Sequence, residues 1–410
     1  MTGNPVILSG LVLSEIEGVE GYDCMERNIK LLAVFNFFTD FKFYSAILII
    51  YFARVTGSYG LAMSLFAITM FSSAVFEVPT GIFSDMIGRK KTILLGALSS
   101  VLYTICYAIG GTFWVLCIGA IVEGLSRAWY SGNNDALLHD SLREVGKKDL
   151  YAHYLGKTHA MFQGALMIGA VIGSIVAQWS FPLIMWISVI PQATCVFISL
   201  YLTEPIRLTK EKANIFSHIK ISALHLWNNK FLRLLSIQDI LSFGIGESSF
   251  HFGAAFINTI WPLWAIGFSK MISYGGAFIS FWFSGKFIQK IGAYNILIIA
   301  NIYSRVANFI AYGIPTLFSP VLMASSSIFY GAISVAKNAL MQREYTERER
   351  ATLGSLNSFI GSMFYALFAP LLGFIADVYG PAKALIMVQF CMLSVLYINF
   401  KLKKMQKANP

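Results

Sequence analysis

The feature that most constrains this chain is a series of apolar stretches, each about twenty residues long. A helix of about 20 residues crosses the hydrocarbon core of a bilayer, and twelve stretches reach that length. They cover 30–52, 59–83, 92–110, 113–138, 157–179, 182–203, 232–256, 265–288, 293–314, 317–341, 352–376 and 383–401. Only 13% of the residues are charged, about half the fraction in a soluble domain. We predict an all-α membrane protein with twelve transmembrane helices in the lipid bilayer.

The distribution of basic residues predicts the orientation of these helices. Of the 31 Lys and Arg residues, 24 fall in segments that would share one side of the membrane, and only Arg54, Lys270 and Lys383 fall on the other. Cytoplasmic loops of membrane proteins carry this excess. The net charge of +10 therefore reflects topology, and we expect no nucleic-acid partner. Both termini are predicted to be cytoplasmic.

An internal repeat divides the chain into two halves. Gly81 and Gly88 are seven residues apart, and Gly285 and Gly292 repeat that spacing 204 residues later. A basic, amphipathic segment separates the two copies. We predict a cytoplasmic extension (1–28, disordered), a six-helix bundle (29–203), a linker (204–231), a second six-helix bundle (232–402) and a tail (403–410). Two membrane halves related by a repeat indicate a secondary transporter whose site lies between them.

The start of the chain differs from the segments that follow it. Residues 1–24 carry four acidic residues and no Lys or Arg, whereas the sequence from Met25 leads directly into an apolar run. A signal peptide has an early positive charge. We therefore interpret 1–24 as an extension or as the product of a start assigned too early, with Met25 as the alternative to Met1.

One short motif is unusually charged for this chain: residues 81–91 read GIFSDMIGRKK. Glycines at 81 and 88 would allow two helix ends to approach closely. Asp85 would favour the positive end of the following helix, and Arg89 would reach a carboxylate on a neighbouring helix, for which Asp140 is the candidate.

The motif resembles the signature between the second and third helices of the major facilitator superfamily (MFS). The match keeps Gly81, Asp85, Gly88, Arg89 and Lys90. Segments 77–81, 124–142 and 348–359 also resemble bacterial members of that superfamily. The resemblance implies the MFS fold, a monomer in the bacterial inner membrane and alternating access, with the charged motif and Asp140 latching the cytoplasmic side.

Ionisable residues within the predicted spans are the candidates for transport itself, because a charge at bilayer depth costs at least ~2.5 kcal/mol without a partner or a cavity. Asp40 and Glu247 are the proton-coupling candidates. The substrate-cavity candidates are Glu123, Arg127, Trp129, Tyr130, Asp239, His251, Lys337 and Asn357.

Two of these groups have alternative interpretations. Glu123 and Arg127 are four residues apart and could form a structural ion pair. Glu247 and His251 share that spacing and could sit near the outer surface. Proton-coupled antiporters of the family carry an Arg followed by Gly four residues later, whereas Arg127 precedes Gly132 by five.

The sequence contains no motif typical of metal binding, nucleotide binding or enzymatic catalysis. The five cysteines are isolated, and no zinc spacing, nucleotide-binding loop or nucleophile elbow occurs, so we expect no metal, no cofactor and no enzyme. We predict proton-coupled export of drugs or metabolites. The alternative is proton-coupled uptake of a nutrient or siderophore. A receptor or scaffold is a further class, but it would need neither the latch nor the intramembrane acids.

Overall fold

The computed structural model describes residues 24–205, 224–345 and 350–408, and these ranges are helical throughout apart from turns and connections. The first 23 residues and most of the predicted linker, 206–223, lie outside the described residues. The predictions for residues 1–23, including the alternative start at Met25, therefore stay predictions. No strand occurs within the described ranges.

The N-terminal half contains eight helices. They are α1 (24–40), α2 (Leu48–Thr56), α3 (Tyr59–Ile87), α4 (Arg89–Ile109), α5 (Phe113–Tyr130), α6 (Asn133–Glu144), α7 (Tyr151–Val176) and α8 (Phe181–Tyr201). Helices α1 and α2 together form the first predicted span, and α5 and α6 form the fourth. The first half therefore supplies six spans.

The C-terminal half contains seven helices. They are α9 (Lys230–Ile257), α10 (Ile266–Ile291), α11 (Ala293–Gly313), α12 (Ser319–Ser325), α13 (Tyr330–Glu344), α14 (Arg350–Tyr379) and α15 (Pro381–Ala408). A 3₁₀ turn joins α12 to α13, and the three pieces form one span, Ser319–Glu344.

Nine helices in the described ranges are long and apolar enough to cross a membrane. The three predicted spans outside that set are the first, which is broken, the fourth, which turns between α5 and α6, and the eighth, α10, which is rich in serine and glycine. The twelve-span arrangement fits the helices observed, and the all-α membrane fold is confirmed.

The structure corrects two predicted boundaries. Residues 24–28, assigned to a disordered extension, already belong to α1: Met25 is buried, and the Asn28 amide donates to the Thr203 carbonyl oxygen at 2.8 Å. The last helix continues through residue 408, into the predicted tail. Hydropathy marks the lipid-immersed part of a helix, so polar turns that extend beyond the bilayer were missed.

Serine and threonine residues begin several helices at one face of the molecule. Ser58, Thr112 and Ser180 precede α3, α5 and α8, and each hydroxyl accepts the backbone N–H three residues later. Such N-caps satisfy donors that the first turn leaves unpaired. Following the predicted orientation, we call this the outer face and the face of Gly88 and Gly292 the inner face.

The first span is interrupted at mid-depth. Helix α1 ends at Asp40, and residues 41–47 form turns before α2 begins. The carbonyl oxygen of Phe38, freed by the break, accepts the buried Gln192 amide at 3.2 Å. Helix α7 lies so close that a side chain at Gly173 would collide with the Phe43 carbonyl. Non-helical backbone at bilayer depth occurs only where protein or a cavity surrounds it.

The two halves meet at their outer ends. A side chain at Gly373 of α14 would collide with the Tyr59 carbonyl of α3, and one at Gly267 of α10 would collide with the Ala170 carbonyl of α7. Toward the inner face, α3 instead exposes Val78 and Met86. We interpret the arrangement as closed at the outer face and open toward the inner face, with a cleft between the halves.

Candidate functional site

Asp40 lies at the end of α1, where the first span breaks. Its carboxylate is partly buried and forms no hydrogen bond or ion pair with any residue that the structure describes. Lys42 follows in the turn, and its Nζ lies 5.4 Å from the centroid of the Tyr103 ring. A carboxylate without a partner is therefore held beside irregular backbone in the middle of the N-terminal half.

Glu123 and Arg127 form the ion pair that their spacing allows. Arg127 Nη2 lies 3.0 Å from Glu123 Oε1, and the Tyr107 hydroxyl donates to Oε2 at 2.8 Å. The Glu123 side chain is only 9% exposed, whereas that of Arg127 is 43% exposed. The carboxylate is thus satisfied inside the bundle, and the guanidinium keeps donors free for a solute. Both interpretations of the pair, structural and solute-binding, fit this geometry.

Glu247 and His251 face the other half of the protein. His251 Nε2 lies 4.0 Å from Glu247 Oε2, and the His251 ring lies 4.7 Å from that of Phe66 on α3. Phe66 is seven residues inside α3, about 10 Å from its outer end. This pair therefore lies between the halves, inside the outer surface.

Lys270 was assigned from sequence to the outer edge, and the structure corrects that assignment. It is the fifth residue of α10 and is only 4% exposed. Its Nζ donates to the Phe250 carbonyl oxygen at 2.7 Å and lies 3.7 Å from the centroid of that ring. Electrostatic interaction links Lys270 to Glu247. Counting basic residues near span ends groups a buried lysine with loop lysines, so no local pattern distinguishes Lys270.

Three predicted cavity residues come together from three helices of the C-terminal half. Asp239 on α9 pairs with Lys337 on α13 and accepts a hydrogen bond from Asn357 on α14. The side chains of Asp239 and Lys337 are 18% and 22% exposed. Burial, with a smaller contribution from the Asp239 charge, raises the pKa of Tyr345 to about 12, so this nearby phenol remains neutral.

Two aromatic candidates, Trp129 and Tyr130, are the last two residues of α5. Tyr130 packs against Gly96 and edge-on to Phe35 with ring centroids 5.6 Å apart, and it is partly buried, so its role in the cavity stays a prediction. The ring centroid of Trp129 lies 6.3 Å from that of Phe83, a residue on the inner half of α3. Periodicity alone did not distinguish the packed face of α5 from its cleft face.

The charged motif at the inner face is organised around Asp140. Arg89 Nε donates to Asp140 Oδ2 at 3.1 Å, and Arg143 and His139 also lie within 3.4 Å of that carboxylate. The backbone N–H groups of Arg89 and Lys90 both donate to the Glu204 carboxylate at 2.8 Å. Glu204 caps the start of α4 and was missed because it lies 115 residues away in sequence.

Gly81, Gly88 and Asp85 lie in three different environments. Among the described residues outside its own stretch of α3, no atom lies within 4 Å of the position that a side chain at Gly81 would occupy, so this glycine makes no close approach to them. Gly88 has φ of 108°, and it forms the turn between α3 and α4. Asp85 is exposed in the last turn of α3, whereas the start of α4 is capped by Glu204.

Arg127 links the ionisable groups of the two halves. Its charge interacts with Asp40 in its own half and with Glu247 and His251 in the other. Within the described ranges, no group of three His, Cys, Asp or Glu residues is placed to hold a metal ion. The arrangement suits the binding and release of protons and a small solute.

Two bundles of membrane-spanning helices define a multi-pass membrane protein. The chain belongs to the Major Facilitator Superfamily, whose family model matches residues 31–364. This confirms the family indicated by the charged motif.

Curated relatives include proteins named for drug resistance. Tetracycline resistance protein, class E, of Escherichia coli is 29% identical over 31% of this chain and 30% of its own length. An uncharacterized MFS-type transporter of Methanocaldococcus jannaschii is 26% identical over 87% of this chain and 94% of its own. The chain spans between 28% and 45% of the length of the first three relatives it matches.

Solved structures share the same fold. The nucleoside transporter NupG aligns with a TM-score of 0.76 and 16% identity, covering 92% of this chain and 99% of that one. A bacterial homolog of the human lysosomal transporter Spinster aligns with a TM-score of 0.71 and 13% identity, covering 94% and 97%.

Proposed function

We propose that this protein is a secondary active transporter of the bacterial inner membrane, with both termini cytoplasmic, which exports drugs or metabolites by alternating access coupled to protons. The single observation that carries the proposal is the unpaired Asp40 carboxylate at the break in the first span. Glu247, whose Oε2 lies 4.0 Å from His251 Nε2, is the second coupling candidate.

The chemistry of coupling follows from the surroundings of Asp40. An ionised carboxylate that forms no salt bridge is costly at bilayer depth, and taking up a proton removes that cost. Opening the cleft to water on one side lowers the cost of ionisation and releases the proton there. Arg127, which interacts with Asp40 and Glu247, would transmit a change in either charge to a bound solute. Proton and solute binding would then be thermodynamically linked.

The solute would occupy the cleft between the halves. Arg127 and Trp129 from one half and Asp239, His251, Lys337 and Asn357 from the other are its proposed contacts, with Glu123 orienting Arg127 through their ion pair. Aromatic rings beside charged groups favour a flat solute with a few polar substituents.

Closure of the inner face would use the charged motif. The Arg89 and Asp140 pair fixes the inner ends of α4 and α6, which keeps the exposed Asp85 and Gly81 of α3 in place to meet the other half when the outer face opens. The pair therefore acts as the cytoplasmic latch of the proposed cycle.

Export is the preferred direction because several partial relatives are tetracycline resistance proteins. Uptake of a nutrient or siderophore would use the same cleft with the opposite net flux. A thermal-shift screen with drugs, nucleosides and siderophores would find a solute. Flux of that solute in inside-out vesicles, with and without a proton gradient, then tests the proposal: gradient-driven accumulation supports export, and flux unaffected by the gradient contradicts coupling.

A further inference from the structure

A carboxylate from the C-terminal half caps a helix of the N-terminal half at the outer face. Asp377, in the last turn of α14, accepts the Ser58 hydroxyl at 2.5 Å and the Gly60 N–H at 3.0 Å through Oδ2. Its Oδ1 accepts the Tyr59 N–H at 2.6 Å. One side chain thus satisfies three donors at the start of α3, across the boundary between the halves.

We infer that Asp377 is the outer latch of the transporter, which holds the halves together when the cleft is open to the inner face. This inference rests on the proposed alternating access. Three contacts to an ionised oxygen acceptor are individually stronger than neutral hydrogen bonds, and the positive end of α3 adds to them. Because Asp377 and Ser58 belong to different halves, every one of these contacts must break before the outer ends can separate.

The packing around Asp377 allows its hydrogen bonds to form only while the outer face is closed. Helices α3 and α14 are in backbone contact there, since a side chain at Gly373 would collide with the Tyr59 carbonyl. Gly60 lies directly against the Phe374 ring. A carboxylate one turn beyond Gly373 can therefore reach the N–H groups of α3 only while the two helices remain this close.

The two latches would then act on opposite faces. Asp377 caps α3 at its outer end, and the charged motif lies at the inner end of the same helix. Helix α3 therefore carries the Asp377 contact at its outer end, and at its inner end it carries the charged motif that is proposed to meet the other half when that face closes. Removing the Asp377 carboxylate should weaken the closed outer face and favour the state that is open outward.

The test measures the distance between the two halves, with no added solute and no imposed proton gradient. Spin labels on cysteines replacing Ile109 and Phe318, both exposed at the outer face and one in each half, would report outer opening by pulsed EPR in nanodiscs, with the native cysteines replaced by serine. Asp377→Asn should raise the ratio of long to short distances about tenfold, the expected effect of losing hydrogen bonds to a charged group. Ser58→Ala should shift it in the same direction by less.

Ser180→Ala is the matched control. Ser180 also caps an outer helix end, but its bond to the Leu183 N–H lies within one half, so the distance ratio should stay at the wild-type value. Distances unchanged in Asp377→Asn would overturn the inference, and if that variant does not fold, unchanged distances in Ser58→Ala would do so. If proton-driven flux were not observed, the proposed coupling would fail but the outer latch would not, because the spin labels measure only the distance between the halves.

Discussion

Arg89 and Asp140 pair within one half of the transporter, with 3.1 Å between Nε and Oδ2. The two residues lie on α4 and α6, so their contact braces the inner ends of two helices in the same bundle. The side chains are 22% and 17% exposed, which leaves the pair only partly screened by water. In the proposed cycle, a latch built in this way would position the motif on α3 for the other half.

We expect Arg89→Ala and Asp140→Ala each to lower the transport rate at least about tenfold, since a hydrogen bond to a charged group contributes about 1.5–3 kcal/mol. The charge-swapped double variant should recover only part of the rate, because Arg143 also contacts the Asp140 site. Vesicle flux and size-exclusion chromatography provide the measurements. Lys91→Ala, an exposed neighbour, is the control. Wild-type rates in both alanine variants would remove the pair from the mechanism.

The break in the first span depends on close contact with α7. A methyl group at Gly173 would overlap the Phe43 carbonyl, whereas one at Gly169 would lie 3.3 Å from the Lys42 carbonyl oxygen. Overpacking costs typically about 1–3 kcal/mol. Gly173→Ala should therefore lower the thermal midpoint in detergent by several degrees more than Gly169→Ala on the same helix. Equal midpoints for the two variants would argue against this packing.

The cluster of Asp239, Lys337 and Asn357 allows stability to be separated from transport. Asp239→Asn leaves the Lys337 ammonium without its counter-ion, and we expect a loss of about 1–3 kcal/mol after allowing for partial exposure. The double variant Asp239→Asn, Lys337→Met should recover most of that stability, because no lone charge remains.

Transport should remain impaired in the double variant if these side chains contact the solute. Thermal unfolding and flux measured on the same preparations separate the two effects. A double variant that regains both stability and flux would assign the cluster to structure alone.

The sequence predicted the membrane fold because apolar run length reports lipid immersion directly. It did not predict the break at 41–47, since that segment is as apolar as its neighbours and contains neither glycine nor proline. The reason for the break lies in the partners Gln192 and Gly173, which are distant in the sequence.

The sequence predicted those parts of the candidate site that lie within one helix, but not the contacts between helices. Pairs four residues apart, such as Glu123 and Arg127, follow from helical periodicity alone. The contact of Asp239 with Lys337 and Asn357 requires knowing how three helices pack. Lys270 and Glu204 were missed because burial and long-range capping leave no local pattern.

The central claim is that Asp40 carries the coupled proton. Asp40→Asn removes the titrating group and keeps nearly the same volume, so solute binding and exchange down its own gradient should persist. Glu247→Gln is the matched control in the other half. The accumulation measured for Glu247→Gln decides whether Glu247 also carries a coupled proton.

The most direct measurement is solute accumulation in proteoliposomes that carry an imposed pH gradient. Wild-type protein should accumulate solute in proportion to the gradient, whereas Asp40→Asn should reach only the equilibrium level while still exchanging labelled solute. Accumulation by Asp40→Asn with the wild-type pH profile would contradict the account. The coupling role would then belong to Glu247 if Glu247→Gln fails to accumulate, and to neither acid if it does.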